Sequence, residues 1–475
     1  MAQPHPPESL PKLEKSPTGI QGLDEITGGG LPKGRGTLIC GGAGSGKTIF
    51  AMEFLVHGAV QFDEPGVYMP FEESADDLAK NFSSLGYDLD RLCAEKKILI
   101  DYVFIQRSQI IETGEYDLEG LFVRLGHAID SIGAKRVVLD TLEALFSAFP
   151  DPFTLRAELR RLFRWLKEKG VTAVVTGERG ETTLTRHGLE EYVADCVIVL
   201  DQRMAQQVCT RRLRILKYRG SSHGANEYPF LIDDDGVSVL PITSLSLDHE
   251  ASRERVSSGI LQLDDMLGSK GYYKGSTILI SGGAGTGKTS LAASFAGGAC
   301  LSGERCLYFA FEESASEIIR NMQSIGLELE AWTKKGLLQF EASRPTTFGL
   351  EQHLSVIHKK IEDVKPSFII LDPITNFISV GAALEIKSMI TRLLDFLKSR
   401  QITAMFTSIS DTGSSLEHTN EAVSSLMDAW IVLRNLEAEG ERKRSLYILK
   451  SRGMAHSSRV RQFRITDHGI ALADT

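Results

Sequence analysis

The sequence predicts an α/β fold written twice: two tandem domains, each with a mainly parallel central sheet and helices on both faces. Three observations predict it. The run GGAGSGKT at 41–48 returns as GGAGTGKT at 282–289. Four further landmarks recur in the same order. FEES at 71–74 returns at 311–314, VVLDT as IILDP, VTAVVTGE as ITAMFTS, and LKYRG at 216–220 as LKSRG at 449–453. Within each copy, short β-branched and apolar runs alternate with amphipathic stretches, the pattern of βαβ units. The copies lie roughly 230–240 residues apart throughout, a domain-sized period rather than a solenoid repeat.

The elements follow in order. Residues 1–15 carry prolines and charge but no apolar run, so they read as a disordered lead-in. The first domain runs over 16–244, 245–252 is a polar linker, and the second domain runs over 253–475. In the first copy, Thr37–Cys40 is a strand, followed by a glycine-rich turn and a helix to about Val60. Val67–Phe71 and Val137–Leu139 are strands. Leu155, Leu159, Leu162, Phe163 and Leu166 recur at helical spacing over 154–169. Val171–Thr176 is again a strand. The late strands 211–217 and 228–232 have short connections, which suits antiparallel pairing.

Composition narrows the function. Apolar residues are 42% of the chain and charged residues 24%, so it can bury cores without disulfides. The six cysteines contain no CxxC pair, which fits structural thiols in a reducing compartment. There is no long apolar span and no secretory leader, so a cytoplasmic protein with no membrane role is expected. A net charge of −9 argues against coating nucleic acid. No concentrated Lys/Arg loop stands out beyond 156–169, itself an amphipathic face.

The chemistry sits in the doubled motif. GxxxxGK[ST] between a strand and a helix is a P-loop. Here it reads Gly41-Gly42-Ala43-Gly44-Ser45-Gly46-Lys47-Thr48 and Gly282-Gly283-Ala284-Gly285-Thr286-Gly287-Lys288-Thr289. Glycines let backbone N–H groups curl around phosphate, and the helix N-terminus favours the same anion. Lys47 and Lys288 would reach the β/γ-phosphates of ATP. Thr48 and Thr289 would offer a hydroxyl to Mg²⁺. Asp140 and Asp372 end apolar strands, where a second Mg²⁺-binding carboxylate belongs. Glu72, Glu73, Glu312 and Glu313 follow strands too. One of each pair can polarise an attacking water or hydroxyl, with Glu312 also close to the metal; the other can be a solvated first-turn carboxylate. Lys217, Arg219, Lys450 and Arg452 alternate along late strands. Spacing leaves open whether they are solvated edge charges or a clamp on a neighbour's phosphates.

On these residues, and over nearly all of the chain from Ser16, the sequence resembles the KaiC family, the circadian-clock ATPase and its relatives within the RecA-like group. The matching closures RGSSHGANEYPFLIDDDG and RGMAHSSRVRQFRITDHG strengthen the resemblance. It implies two RecA-like domains assembled as an ATP-dependent double-ring homohexamer, with ATP between subunits. Lys217, Arg219, Lys450 and Arg452 would then act in trans. His223 and Asp234, then His456 and Asp467, would approach the nucleotide from that neighbour, and Ser84 and Ser324 would lie near its base or ribose. The family's first ring hydrolyses ATP slowly. Its second ring also phosphorylates and dephosphorylates its own subunits.

The family's paired phosphoacceptors precede an Asp and an apolar strand. That stretch reads HTNEAVSSLMDAWIVL, which puts Ser424 and Ser425 at the acceptor positions, with Thr419 upstream. The first copy carries Glu191 and Tyr192 there. Two departures stand out. Pro373 replaces Thr141 after the second strand-end Asp, losing an N–H and a hydroxyl. The chain ends at ITDHGIALADT, where the founding clock protein continues into a KaiA-binding tail. That puts KaiA-like regulation in doubt and points to a non-clock or simplified-clock member. A KaiB-like partner on the first ring is left open. The expected activity is a Mg-ATP-dependent ATPase and serine/threonine autokinase. The alternatives are a RecA/RadA-like or helicase-like DNA-stimulated ATPase and a nucleotide-gated scaffold without kinase activity.

Overall fold

The computed structural model describes residues 13–103, 118–146, 152–180, 193–205, 208–241, 251–347, 349–380, 383–409, 424–438 and 441–473. The chain divides into two compact units, 1–243 and 244–475.

In the first unit, a two-residue strand β1 (Lys15–Ser16) pairs with β2 (Leu31–Pro32). Leu13–Lys15, inside the expected lead-in, are therefore already part of the fold. Lys15 Nζ bonds Ser221 Oγ at 2.8 Å and lies over the Tyr218 ring. Then come β3 (Gly36–Gly41), helix α1 (Lys47–Gln61), β4 (Gly66–Pro70), α2 (Ala75–Ser83), β5 (Ile98–Ile100), α3 (Glu119–Ile132) and β6 (Arg136–Asp140). They are followed by α4 (Pro152–Glu168), β7 (Thr172–Glu178), β8 (Cys196–Ala205), β9 (Val208–Tyr218), β10 (Glu227–Asp233) and β11 (Gly236–Val239). The nine-stranded sheet has the order β11-β10-β9-β8-β3-β7-β6-β4-β5. The strands from β8 to β5 are parallel; β9, β10 and β11 add antiparallel.

Alternation explains the two-sided core. Successive strand residues point to opposite faces. Ile39, Tyr68, Val138 and Val174 meet α1 and α2 on one face. Leu38, Val67, Val137 and Val175 meet α3 and α4 on the other, with Leu155, Leu159, Leu162, Phe163 and Leu166 supplied by α4. Parallel strands covered on both faces read as continuous apolar runs, as these do. The charges of the α4 region are surface ion pairs: Arg161 meets Glu119 and Glu158, and Lys169 meets Asp130.

The second unit repeats the plan with β12 (Arg255–Val256), β13 (Tyr272–Tyr273), β14 (Thr277–Gly282), α5 (Lys288–Leu301), β15 (Cys306–Ala310), α6 (Ala315–Gln323) and β16 (Leu338–Ala342). It continues with α7 (Leu350–Val364), β17 (Phe368–Asp372), α8 (Ala383–Ser399), β18 (Thr403–Ile409), β19 (Ala429–Ala438), β20 (Glu441–Ser451), β21 (Arg461–Thr466) and β22 (Gly469–Leu472). Its sheet order, β16-β15-β17-β18-β14-β19-β20-β21-β22, mirrors the first. Both units are thus RecA-like α/β domains with the central P-loop strand flanked on both sides. Among the described residues, no helix is long and apolar enough to cross a membrane.

Candidate nucleotide site and acceptor segment

The P-loops leave β3 and β14 at their C-terminal ends. Gly46 and Gly287 sit at φ 97° and 99°, a left-handed backbone that L side chains resist, and α1 and α5 begin at the next residue. Each loop therefore presents a helix N-terminus to an anion. Lys47 Nζ donates to the carbonyl oxygens of Gly41 (2.8 Å) and Gly42 (3.0 Å). Lys288 does the same to Gly282 (2.9 Å) and Gly283 (2.8 Å). Burial lowers the Lys288 ammonium below the usual lysine range, against the raising effect of Asp372 and Glu312. That field places Lys288, Asp372 and Glu312 in one neighbourhood.

Asp140 and Asp372 are 7% exposed at the ends of β6 and β17. Each carboxylate is held on both oxygens. Tyr68 and Thr176 donate their hydroxyls to Asp140, and Tyr308 and Thr407 donate theirs to Asp372, with both tyrosine contacts at 2.6 Å. Sequence reasoning missed these four hydroxyls. The signal was present, because Thr176 and Thr407 recur inside the VTAVVTGE and ITAMFTS landmarks and Tyr68 and Tyr308 each stand three residues before FEES. The peptide bonds Asp140–Thr141 and Asp372–Pro373 are both cis. Beside Asp140, partial burial followed by Asp140, Asp77 and Glu72 raises the Glu73 carboxyl above its ordinary value. Glu313 accepts from Asn321 Nδ2 at 3.1 Å. Ser74 and Ser314 cap α2 and α6, which fixes the turns that carry the acidic pairs.

Hard oxygen donors suit Mg²⁺. Thr48 and Asp140, then Thr289 and Asp372, provide a hydroxyl and a carboxylate at the same end of each sheet as the P-loop lysine. This donor set fits the ion.

The other expected site residues separate by sheet end. β20 runs antiparallel to β19, so Lys450 and Arg452 arrive beside Trp430 and Asp428, at the N-terminal end of β14. The P-loop is at the C-terminal end. The five steps between the six residues of β14, at ~3.3 Å each, put about 17 Å between them. Lys217 and Arg219 have the same relation to β3, through Val197 and Asp195. His456 and His223 lie in the loops that follow, at this far end. Asp467 and Asp234 do not. They occupy the β21–β22 and β10–β11 turns at the P-loop end, where Gly326 packs against the Asp467 carbonyl and Ile232 packs against Gly46. The resemblance grouped them with the neighbour's residues; within the chain, hairpin direction places each Asp at the end of its own P-loop. Ser84 and Ser324 are at that end too, but their hydroxyls bond back to Asn81 and Asn321 carbonyls at 2.7 and 2.6 Å.

At the far end of the second unit, Lys450 Nζ donates to the Ser424 carbonyl (3.0 Å) and the Ser425 carbonyl (3.3 Å), and Arg452 donates to Ser425 at 2.6 Å. Ser424 is 5% exposed, while Ser425 faces solvent. Asp428 anchors the segment. It accepts from Thr277 N (3.0 Å), Thr277 Oγ1 (2.9 Å) and Lys398 Nζ (3.0 Å). Lys398, a third cation near the serines, was invisible in the sequence because α8 brings it from far along the chain. Burial, then Arg452, depress the Lys450 ammonium. Thr419, Glu191 and Tyr192 lie outside the described residues.

Comparison with known proteins gives the family. The sequence model of the KaiC ATPase family matches residues 16–244 and 256–475. The chain is 58% identical to circadian clock protein KaiC2 of Synechocystis over 464 residues, covering 97% of this chain and 82% of that protein. It is 39% identical to circadian clock protein KaiC3 of the same organism, over 97% of this chain and 92% of that one. It is 37% identical to the circadian clock oscillator protein KaiC of Synechococcus elongatus, over 100% and 92%. With two complete P-loop sites on two RecA-like domains and matches that run through both repeats, the chain belongs to the KaiC family of ATPases, a membership that carries ATP binding with it.

Proposed function

We propose that this protein is a Mg-ATP-dependent ATPase and serine autokinase in which each phosphoryl transfer joins two chains, in a ring assembly of the hexameric kind, in the cytoplasm. One observation carries the reading. The acceptor serines and the cations Lys450 and Arg452 lie at one end of the second sheet, and Lys288 and Asp372 lie at the other. A γ-phosphate on the P-loop cannot meet Ser424 or Ser425 of its own chain across about 17 Å of strand. A neighbour placed head to tail supplies the missing half, and a heterologous contact of that kind closes into a ring.

The residues divide the work. The P-loop amides and Lys288 bind the phosphates, and Asp372, fixed by Tyr308 and Thr407, holds its carboxylate ready beside them. Thr289 and Asp372 would hold Mg²⁺, which would offset the charge of the phosphates. Glu312, together with Glu313, accepts the proton of the incoming serine hydroxyl; in the first domain Glu72 with Glu73 accepts it from water. Lys450 and Arg452 of the adjoining chain bring positive charge to the transferring phosphoryl group and position the serine at the same time, because they already hold the acceptor backbone. The clock names of the relatives extend the proposal to a timing role, in which a KaiB-like protein would bind the first ring.

Incubation with γ-labelled ATP followed by phosphopeptide mapping tests the reading. Label on Ser424 or Ser425 is expected; its absence alongside ATP turnover would leave an ATPase without kinase activity.

A further inference from the structure

Along β8, β9 and β10 of the first unit and at the end of β7, five side chains form an alternating string of charge. Arg179 Nη1 meets Asp201 Oδ1 at 2.7 Å, and Arg203 Nε meets Asp201 Oδ2 at 2.7 Å. Arg203 Nη2 meets Glu227 Oε1 at 2.7 Å, and Arg212 Nη1 meets Glu227 Oε2 at 3.0 Å. Together with Arg214 they line a cavity of about 180 Å³. Arg214 makes no ion pair among the described residues, yet its side chain is partly buried in this wall. Four guanidinium groups face two carboxylates. Hydrogen bonds from Arg203 and, against burial, from Arg212 hold the Glu227 carboxyl below the usual carboxylate range. Among the described residues the lining therefore holds two more cationic than anionic side chains.

The cluster is not a remnant of the duplication. The strand registers align Leu200 with Leu433 and Val199 with Val432. Asp201 then corresponds to Arg434, Arg203 to Leu436, Arg212 to Ser445 and Arg214 to Tyr447. In the second unit Arg434 stacks over the Tyr447 ring at 5.3 Å instead. Only the first domain is built this way. The cavity also adjoins the end of the first P-loop strand, since Arg179 N donates to the Gly41 carbonyl at 3.2 Å.

We propose that this arginine-lined cavity of the first domain is a regulatory binding site for a small, multiply charged phosphate anion of pyrophosphate size. Guanidinium forks match phosphate oxygens in pairs. A cavity this small excludes a nucleotide, which needs the several hundred Å³ of an ordinary ligand pocket. Its half-exposed rim lets a small anion enter, whereas a nucleic-acid strand needs a continuous basic track rather than cations separated by Asp201 and Glu227. Because Arg179 touches Gly41 through its backbone, occupancy bears on the P-loop of the first domain and not on that of the second.

The test is calorimetric titration of the full-length protein with inorganic pyrophosphate, both P-loops being filled with a non-hydrolysable ATP analogue and Mg²⁺ in excess. One site per chain is expected, weakening as salt rises. Arg214→Gln should weaken binding at least tenfold while Arg214→Lys retains most of it. Arg179→Gln, outside the β9 ladder, gives the same reading should Arg214→Gln fail to fold. No pyrophosphate uptake once the P-loops are filled overturns the proposal. So does unchanged affinity in folded Arg214→Gln, or binding of single-stranded DNA lost in Arg214→Gln with no pyrophosphate binding in the parent.

Discussion

Lys450 Nζ lies 3.0 Å from the carbonyl oxygen of Ser424, on the side of the second domain's sheet away from Lys288. The contact ties the proposed phosphate-clamping cation to the proposed acceptor backbone. Whatever draws Lys450 towards a neighbour's nucleotide also draws the serines. Lys450→Ala should therefore lower phosphorylation more than it lowers ATP turnover, since it removes positioning as well as charge. Parallel measurement of label incorporation and phosphate release checks this; equal losses would reduce Lys450 to a charge.

The two serines differ in access. Ser424 is 5% exposed and Ser425 faces solvent, with its carbonyl held by Arg452. Ser425 should accept phosphate first. Ser425→Ala should remove most early label, roughly tenfold, while Ser424→Ala keeps it, because transfer requires a hydroxyl in near-attack geometry. Time-resolved phosphopeptide mapping decides; early label confined to Ser424 contradicts the exposure argument.

Transfer between chains makes a sharper prediction. Lys288→Ala chains keep intact acceptors but lose the phosphate-binding lysine. Chains with both Ser424→Ala and Ser425→Ala keep the donor site and lose the acceptors. Each preparation alone should incorporate little label, the Lys288→Ala chains down on the order of a hundredfold for loss of a phosphoryl-stabilising cation and the double-alanine chains for want of an acceptor hydroxyl. Mixed and reassembled, they should label the Lys288→Ala chains. Persistent silence after mixing, with mixed assemblies verified, argues against transfer in trans.

What was legible in the sequence was what is local along it. A P-loop is eight consecutive residues, and Asp140 and Asp372 follow consecutive apolar residues, so their chemistry could be read before any fold was known. The duplicated order of landmarks also gave the α/β plan. What was hidden depends on the return path of the chain. Whether Asp234 and Asp467 stand with their own P-loop or at the opposite end is decided by the direction of one antiparallel hairpin, which spacing does not encode. Lys398 reaches Asp428 only because α8 and β19 flank the same strand end. The arginine cavity arises from side chains on three strands and the end of a fourth, and its Arg211–Arg214 run reads in sequence as an ordinary strand.

The paired hydroxyls on the strand-end aspartates predict a coupled loss. Tyr308→Phe removes one donor from a 7%-exposed carboxylate and leaves a buried oxygen less satisfied, a cost of about 1–3 kcal/mol. Phosphorylation should fall with it, because Asp372 loses its fixed orientation. Tyr68→Phe should instead affect turnover in the first domain. Denaturant unfolding and domain-resolved ATPase measurements, each in a background with the other P-loop lysine replaced, check the division. A Tyr308→Phe protein of unaltered stability would mean that Thr407 alone satisfies Asp372.

The last prediction concerns a carboxyl outside the nucleotide site. Glu53 on α1 is 0% exposed, accepts from Val237 N at 2.8 Å, and is packed so closely by Gly236 that a Cβ there would sit 2.0 Å from Oε1. Tyr87 also bonds it, and Asp233 lies near. Burial raises its pKa to about 7, partly opposed by the Val237 and Tyr87 hydrogen bonds. Ser294 takes its place in the second domain, bonded to Ser290 O at 2.9 Å. An acid raised on folding disfavours the native state as pH increases. Below the ordinary glutamate pKa the group is protonated in both states. Between that value and about 7 the unfolded chain releases a proton that the folded chain retains, so stability falls, by up to about 3 kcal/mol at the first domain. Above about 7 the loss is complete and constant. Glu53→Gln cannot ionise and escapes this loss. Its stability relative to the parent should therefore rise between pH 5 and pH 8, as read by chemical unfolding of the first domain. The same difference at both pH values would show that Glu53 ionises as readily in the fold as in the unfolded chain.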